Sequence, residues 1–247
     1  MKTPVLLTGS AAAPGIAIGP ALIYRSMSME YRSLSAHLES HRSSNAAIDA
    51  EMDRLKQAID AADNALLAVE TQLLADGQEE ESHIFGAHRL LLTDPELREL
   101  ALTLIADHGL SAAEAIIQAG GEQAALLETL NDPFLNVRAA DMRDVVSHVR
   151  RILMKDMSLG ELLTEPAIVV AHDLGPSELM SAPRERLLGL ALTGSGPTAH
   201  ATILARAWGI PAVIGLGRES LRKITQGMHI AIDAIPGGCC SNQMRQH

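Results

Sequence analysis

Leu187-Leu188-Gly189-Leu190-Ala191-Leu192-Thr193-Gly194-Ser195-Gly196-Pro197-Thr198-Ala199-His200-Ala201-Thr202-Ile203-Leu204-Ala205-Arg206 passes from an apolar segment through a Gly/Pro-rich loop into a helical pattern. The apolar segment has the length of a buried strand. Thr198 stands where a helix cap belongs, and Gly209 supplies the stop. Strand, loop and helix in that order make the repeating unit of an α/β sheet. Working outward, Ala167–Ala171, Pro211–Ile214 and His229–Ile232 predict further strands, as do Val5–Leu7 and Gly15–Tyr24 near the N-terminus.

Between these β-rich ends the periodicity changes. Ile48, Met52, Leu55, Ile59, Ala62, Leu66, Val69 and Leu73 alternate by four and three, an a/d seam on one helix from about Asn45 to Ala75. A second helix is predicted from about Glu79 to Leu92. Asp94-Pro95 caps a third, which stops near Gly109. Ser111-Ala112-Ala113-Glu114 is a capping box for a fourth, with an awkward Gly120-Gly121 pair inside it, and Asp132-Pro133 opens a last helix to about Asp156. The expected architecture is an α/β domain formed by both chain ends, residues 1–30 and 157–235, with an all-α helical bundle, residues 31–156, inserted. Residues 236–247 read as an atypical C-terminal tail.

The 247 residues carry 20 Lys+Arg against 30 Asp+Glu, a net charge of −10. No nucleic acid is expected as a partner, because such binding depends on basic side chains at phosphates and 2% aromatics leave little for base stacking. Cys239 and Cys240, adjacent and alone, exclude a disulfide framework and a four-ligand zinc site. No apolar run reaches the ~18 residues of a membrane span, and residues 1–9, with one positive charge and a short apolar stretch, are not expected to act as a signal peptide. A cytoplasmic protein without membrane insertion is expected. The charge is uneven: residues 31–150 hold 21 acids and 9 bases, net −12, and the remainder is at +2. Such a segment is either a solvated bundle surface or a docking face for a basic partner.

His200 falls in the first turn of the helix after the loop. A helix N-terminus offers unsatisfied N–H groups and the positive end of the dipole, which suits phosphate. A nucleophile fixed there can take a phosphoryl group while nearby donors stabilise its charge. Gly194-x-Gly196-x-x-Ala199 also fits a dinucleotide fingerprint. That pattern needs an acid at the end of the next strand, whereas Glu219 comes only after the turn Gly215-Leu216-Gly217. No Gly-Lys-Ser/Thr follows, which excludes a Walker A loop.

The stretch from Gly196 to Gly215 resembles the phosphohistidine signature of phosphoenolpyruvate-utilising enzymes, approximately G-G-x-T-S-H-x-A-I-x-A-R-x-x-G-I-P-A-V-V-G. Pyruvate phosphate dikinase and phosphoenolpyruvate synthase share it. Three further stretches select one branch. Ala13-Pro14-Gly15-Ile16-Ala17-Ile18-Gly19-Pro20-Ala21 is similar to the opening S-P-G-I-A-I-G-x-A of enzyme I of the bacterial sugar phosphotransferase system. His88-x-x-Leu91-Leu92-x-Asp94-Pro95-Glu96-Leu97 resembles its H-x-x-L-L-x-D-x-E-L, and Arg138-Ala139-Ala140-Asp141-Met142-Arg143-Asp144 its R-A-A-D-V-R-D. The resemblance is to the N-terminal half of that family and covers nearly the whole chain.

It implies that the α/β part is a swivelling phosphohistidine domain in which His200 is phosphorylated, with Gly196, Thr198 and Arg206 stabilising the phosphoryl group. The group passes to a histidine of the small carrier HPr in sugar uptake, and the helical bundle is the HPr-docking subdomain. Positions matching the docking helices are Glu79, Glu80, His83, His88, Leu91, Asp94, Glu96, Phe134 and Arg138, with Leu91 as an apolar anchor. No metal or cofactor is implied in this chain. Magnesium and phosphoenolpyruvate belong to a separate C-terminal barrel domain, without which direct use of phosphoenolpyruvate is not expected. The alternative readings are a non-catalytic HPr-binding regulatory module and an inactive fragment.

Four departures remove potential phosphate contacts. Ser195-Gly196 replaces paired glycines, Pro197 an arginine and Ala199 a serine. Upstream, Ala171-His172-Asp173-Leu174-Gly175-Pro176-Ser177 resembles A-x-D-L-T-P-S, with Gly175 in place of the threonine. They point to an altered carrier.

Overall fold

The structure, a computed structural model, describes residues 6–25, 45–194, 200–235 and 243–246. The chain divides into two compact units, Met27–Asp156 and the two ends Met1–Ser26 with Met157–His247.

The middle unit is helical: α1 (Asn45–Ala75), α2 (Glu79–Leu92), α3 (Pro95–His108), α4 (Ala112–Thr129) and α5 (Pro133–Met154). The four-three seam of α1 is its inward face, with Leu55, Ile59, Ala62, Leu66 and Leu73 buried. The caps form as the local chemistry requires. Asp94 accepts from the Glu96 N–H at 2.8 Å, Ser111 and Glu114 close a reciprocal capping box, and Gly109 ends α3 at φ 65°. Asp132 caps α5, which ends at Met154 with Lys155 left-handed at φ 54°.

Gly120, the first of the glycine pair, is explained by packing. A Cβ on Gly120 would lie 2.1 Å from Val146 Cγ2, so glycine is what lets α4 and α5 approach this closely. The cost in helix propensity, about 1 kcal/mol against alanine, is offset by that contact.

The other unit holds the short α6 (Leu159–Leu162), which leads into β4, and an eight-stranded sheet. Its strands are β1 (Leu6–Thr8), β2 (Ser10–Ala13), β3 (Ile16–Ile23), β4 (Ala167–Ala171), β5 (Leu187–Leu192), β6 (Ala212–Ile214), β7 (His229–Asp233) and β8 (Gln243–Gln246), in the order β1-β8-β7-β3-β4-β5-β6-β2. The centre, β3 to β6, is parallel and the flanking pairs are antiparallel. Every residue of β4 is buried, as a strand covered on both faces requires. Three helices belong to the sheet: α7 (Pro176–Ser181) after β4, α8 (His200–Ala207) after β5 and α9 (Arg218–Leu221) after β6. Among the described residues no helix is long and apolar enough to cross a membrane.

Two strands were not legible beforehand. Ser10–Ala13 forms an edge strand on β6. Residues 243–246, expected in an atypical tail, form β8, which pairs with both β7 and β1. Both segments lack an apolar alternation of their own and are ordered by a partner strand.

Gly120→Ala is expected to destabilise the chain by about 1–3 kcal/mol despite its better helix propensity, through overpacking against Val146. A urea melt followed by helical circular dichroism measures this. A stabilised variant would show that the α4–α5 contact is not tight.

Candidate functional site

The parallel strands β4 and β5 end side by side, Ala171 opposite Leu192. The pairing continues beyond them: the Thr193 N–H donates to the Ala171 carbonyl at 3.0 Å and the Gly194 N–H to the His172 carbonyl at 2.7 Å. On the other side, the N–H groups of Gly215 and Gly217 donate to the carbonyls of Gly194 and Thr193. This C-terminal edge of a parallel sheet is where ligands of open α/β folds bind.

His172 and Thr193 meet there, with Nδ1 and Oγ1 3.0 Å apart. The next turn is fixed by Glu178, a buried carboxylate that accepts from the Gly175 N–H at 3.0 Å and the Tyr24 hydroxyl at 3.1 Å. His200, half-buried, is the first residue of α8. Ala201, Thr202, Leu204 and Ala205 seat that helix on the sheet. Gly196 and Thr198 lie outside the described residues. Arg206 sits six residues along α8 from His200, roughly 9 Å by helical rise, and its Nε donates to the Ala12 carbonyl. That bond ties α8 to β2.

In the helical unit Glu79, Glu80, His83 and Glu96 are exposed, and Leu91, Asp94 and Arg138 are half-buried. Phe134 is 67% exposed, with the Arg138 guanidinium 5.4 Å from its ring centroid. Leu90, at 75% exposed, projects further from α2 than the expected anchor Leu91. His88 is corrected: it is fully buried, on the same face of α2 as buried Phe85 and Leu92, and offers no surface to a partner.

His88 instead stands between two carboxylates of α5, Nε2 3.5 Å from Asp141 and Nδ1 3.3 Å from Asp144. Burial alone would push this imidazole down. The hydrogen bonds and charges of Asp141 and Asp144 outweigh burial and raise it to about 9. Burial would raise the Asp144 carboxyl, but His88, His148 and Arg151 hold it below its ordinary value. His148, 3.4 Å from Arg151, is pushed down to about 4 by burial and by that guanidinium. Asp141 and Asp144 were visible only as an i, i+3 pair in a family stretch, and His172 only as a variable position. Nothing local marks their partners.

The chain belongs to the PEP-utilising enzymes: the family described as PEP-utilising enzyme, N-terminal, matches residues 8–138, and PEP-utilising enzyme, mobile domain, matches residues 163–237. The chain is similar to the phosphoenolpyruvate-protein phosphotransferase of Haemophilus influenzae, 31% identical over 93% of this chain and 39% of the relative. That of Bacillus subtilis is 29% identical over 94% of this chain, again 39% of the relative. The chain thus spans 39% of the length of these curated relatives, in their N-terminal part. Among solved structures, a solution structure of an Enzyme I protein matches with a TM-score of 0.67 and 30% identity, over 94% of this chain and 90% of that one. The N-terminal domain of Enzyme 1 - Nitrogen shares the fold, with a TM-score of 0.65, 24% identity and coverage of 96% and 93%. By name, these curated relatives are phosphotransferases.

The buried network gives a pH prediction for the full chain. His88, raised to about 9 in the folded state, contributes stability that is complete below pH 6.5 and lost as pH rises through about 9. His148, lowered to about 4, works in the opposite limb: between pH 6.5 and about 4 the unfolded chain takes a proton that the folded one refuses. Asp144 adds to the loss in stronger acid. Stability in denaturant melts is expected to peak near neutrality and to fall by on the order of 1–3 kcal/mol toward pH 9.5. His88→Gln should flatten the alkaline limb, and an unchanged limb would remove His88 as its source.

Proposed function

We propose that this chain is a phosphoryl carrier in which His200 exchanges a phosphoryl group with a histidine of a small basic phosphocarrier protein of the HPr type. The observation that carries the reading is the position of His200 as the opening residue of α8, beyond the C-terminal ends of parallel strands. The transfer balances without a cofactor. A lone pair of neutral His200 attacks the phosphorus, and a P–N bond forms as the P–N bond to the carrier imidazole breaks. His200 gives up the proton of its other ring nitrogen, and the departing imidazole regains one. There is little covalent chemistry for other residues, so positioning and electrostatic stabilisation carry the step.

The helical unit supports recruitment of the carrier. Exposed Glu79, Glu80 and Glu96 suit a basic face and raise its encounter rate, and exposed Phe134 offers an aromatic anchor beside Arg138. The likeness to phosphoenolpyruvate-protein phosphotransferases supports a role in sugar uptake. Direct use of phosphoenolpyruvate, with its magnesium, we assign to a separate barrel domain.

Incubation with phosphorylated HPr should place an acid-labile, alkali-stable phosphate on the chain and none on His200→Ala. An unlabelled wild type, or equal labelling of the variant, overturns the reading. At low salt, Glu79→Lys with Glu80→Lys should raise KM for the carrier about tenfold with kcat unchanged, the effect shrinking as salt is added. Phe134→Ala should raise KM at every salt concentration.

A further inference from the structure

We propose that His172 is a second histidine of the phosphoryl site, donating a hydrogen bond from Nε2 to the phosphoryl group on His200. The inference rests on the carrier reading above and adds a residue to it. His172 follows β4 and Thr193 follows β5, so the parallel register sets them side by side at the edge from which the chain proceeds to His200. Thr193 is buried, and its hydroxyl stands 3.0 Å from His172 Nδ1. We assign that hydroxyl as the donor to Nδ1, which puts the ring proton on Nε2, the nitrogen on the far side of the ring.

The ring also borders the start of the loop that leads to His200. A Cβ on Gly194 would lie 2.9 Å from His172 Cε1 and 3.2 Å from Nε2, so no larger residue fits at 194 without moving the imidazole. Behind it, the Glu178 carboxylate holds the following turn through the Gly175 N–H and anchors it to Tyr24. α7, which opens at Pro176, packs against α8, whose first residue is His200. An oriented imidazole on this edge is suited to a phosphoryl oxygen. A donor to a charged oxygen that strengthens in the transition state acts on kcat.

Two amide variants separate this role from a structural one. Asparagine places its amide group near Nδ1, where its oxygen can accept from the Thr193 hydroxyl, whereas glutamine places an amide nitrogen near Nε2 as a donor. Phosphoryl exchange with phosphorylated HPr is measured for wild type, His172→Ala, His172→Asn and His172→Gln, with a thermal melt of each. We expect His172→Ala to lower kcat about 10–100-fold with KM for the carrier unchanged. His172→Gln should recover most of the rate and His172→Asn little.

A labelled wild type with His172→Ala within about twofold of it, or rescue by asparagine as good as by glutamine, overturns the proposal and leaves the carrier reading standing. Label that persists in His200→Ala and disappears when His172→Ala is added would make His172 an acceptor, which also overturns the donor role. A wild type that takes no label removes the carrier reading and this proposal with it.

Discussion

The register between β4 and β5 is the constraint on which the candidate phosphoryl site depends. Ala171 opposite Leu192 brings His172 beside Thr193, and the backbone bonds of Thr193 and Gly194 extend the pairing past both strands. Because strand side chains alternate between faces, a slip of one residue would turn each of these groups to the other side of the sheet. The all-buried β4 makes such a slip costly, since it fits only between covering layers. The hydrophobic packing of two strands thus determines where polar groups stand several residues further on.

The helical unit handles charge in two ways. Its exposed acids remain in water, where they act through long-range attraction and are screened by salt. Its buried charges are paired: His88 lies between Asp141 and Asp144, with His148 and Arg151 close by. Removing one member of such a group leaves a charge without compensation in a low dielectric, which is far more costly than losing a surface pair. The same acidic sequence segment therefore contains exposed acids, which the proposed function assigns to recruitment of a basic carrier, and a pH-sensitive core.

Much of the fold was legible because its signals are local. The four-three seam of α1, the capping box at Ser111-Glu114 and the Asp-Pro openings of α3 and α5 each satisfy their own backbone within a few residues. Strands β2, at one edge, and β8, between β1 and β7, were not, because Ser10–Ala13 and Gln243–Gln246 have no pattern that requires pairing until a neighbouring strand offers hydrogen bonds. The place of His88 was not legible for a related reason. A polar residue in a family motif reads as functional surface, whereas burial beside Phe85 depends on what lies opposite.

By itself the sequence determined the family, the five bundle helices, the apolar segments that become β3 to β7 and His200 as the nucleophile to examine. Those follow from periodicity, capping chemistry and motif spacing, all of which act along the chain. Only the tertiary structure decided that His88 is an enclosed imidazole, that Arg206 is an anchor and that His172 stands against Thr193 and Gly194. Each of these is set by a contact between residues distant in sequence, whose strength depends on burial and orientation.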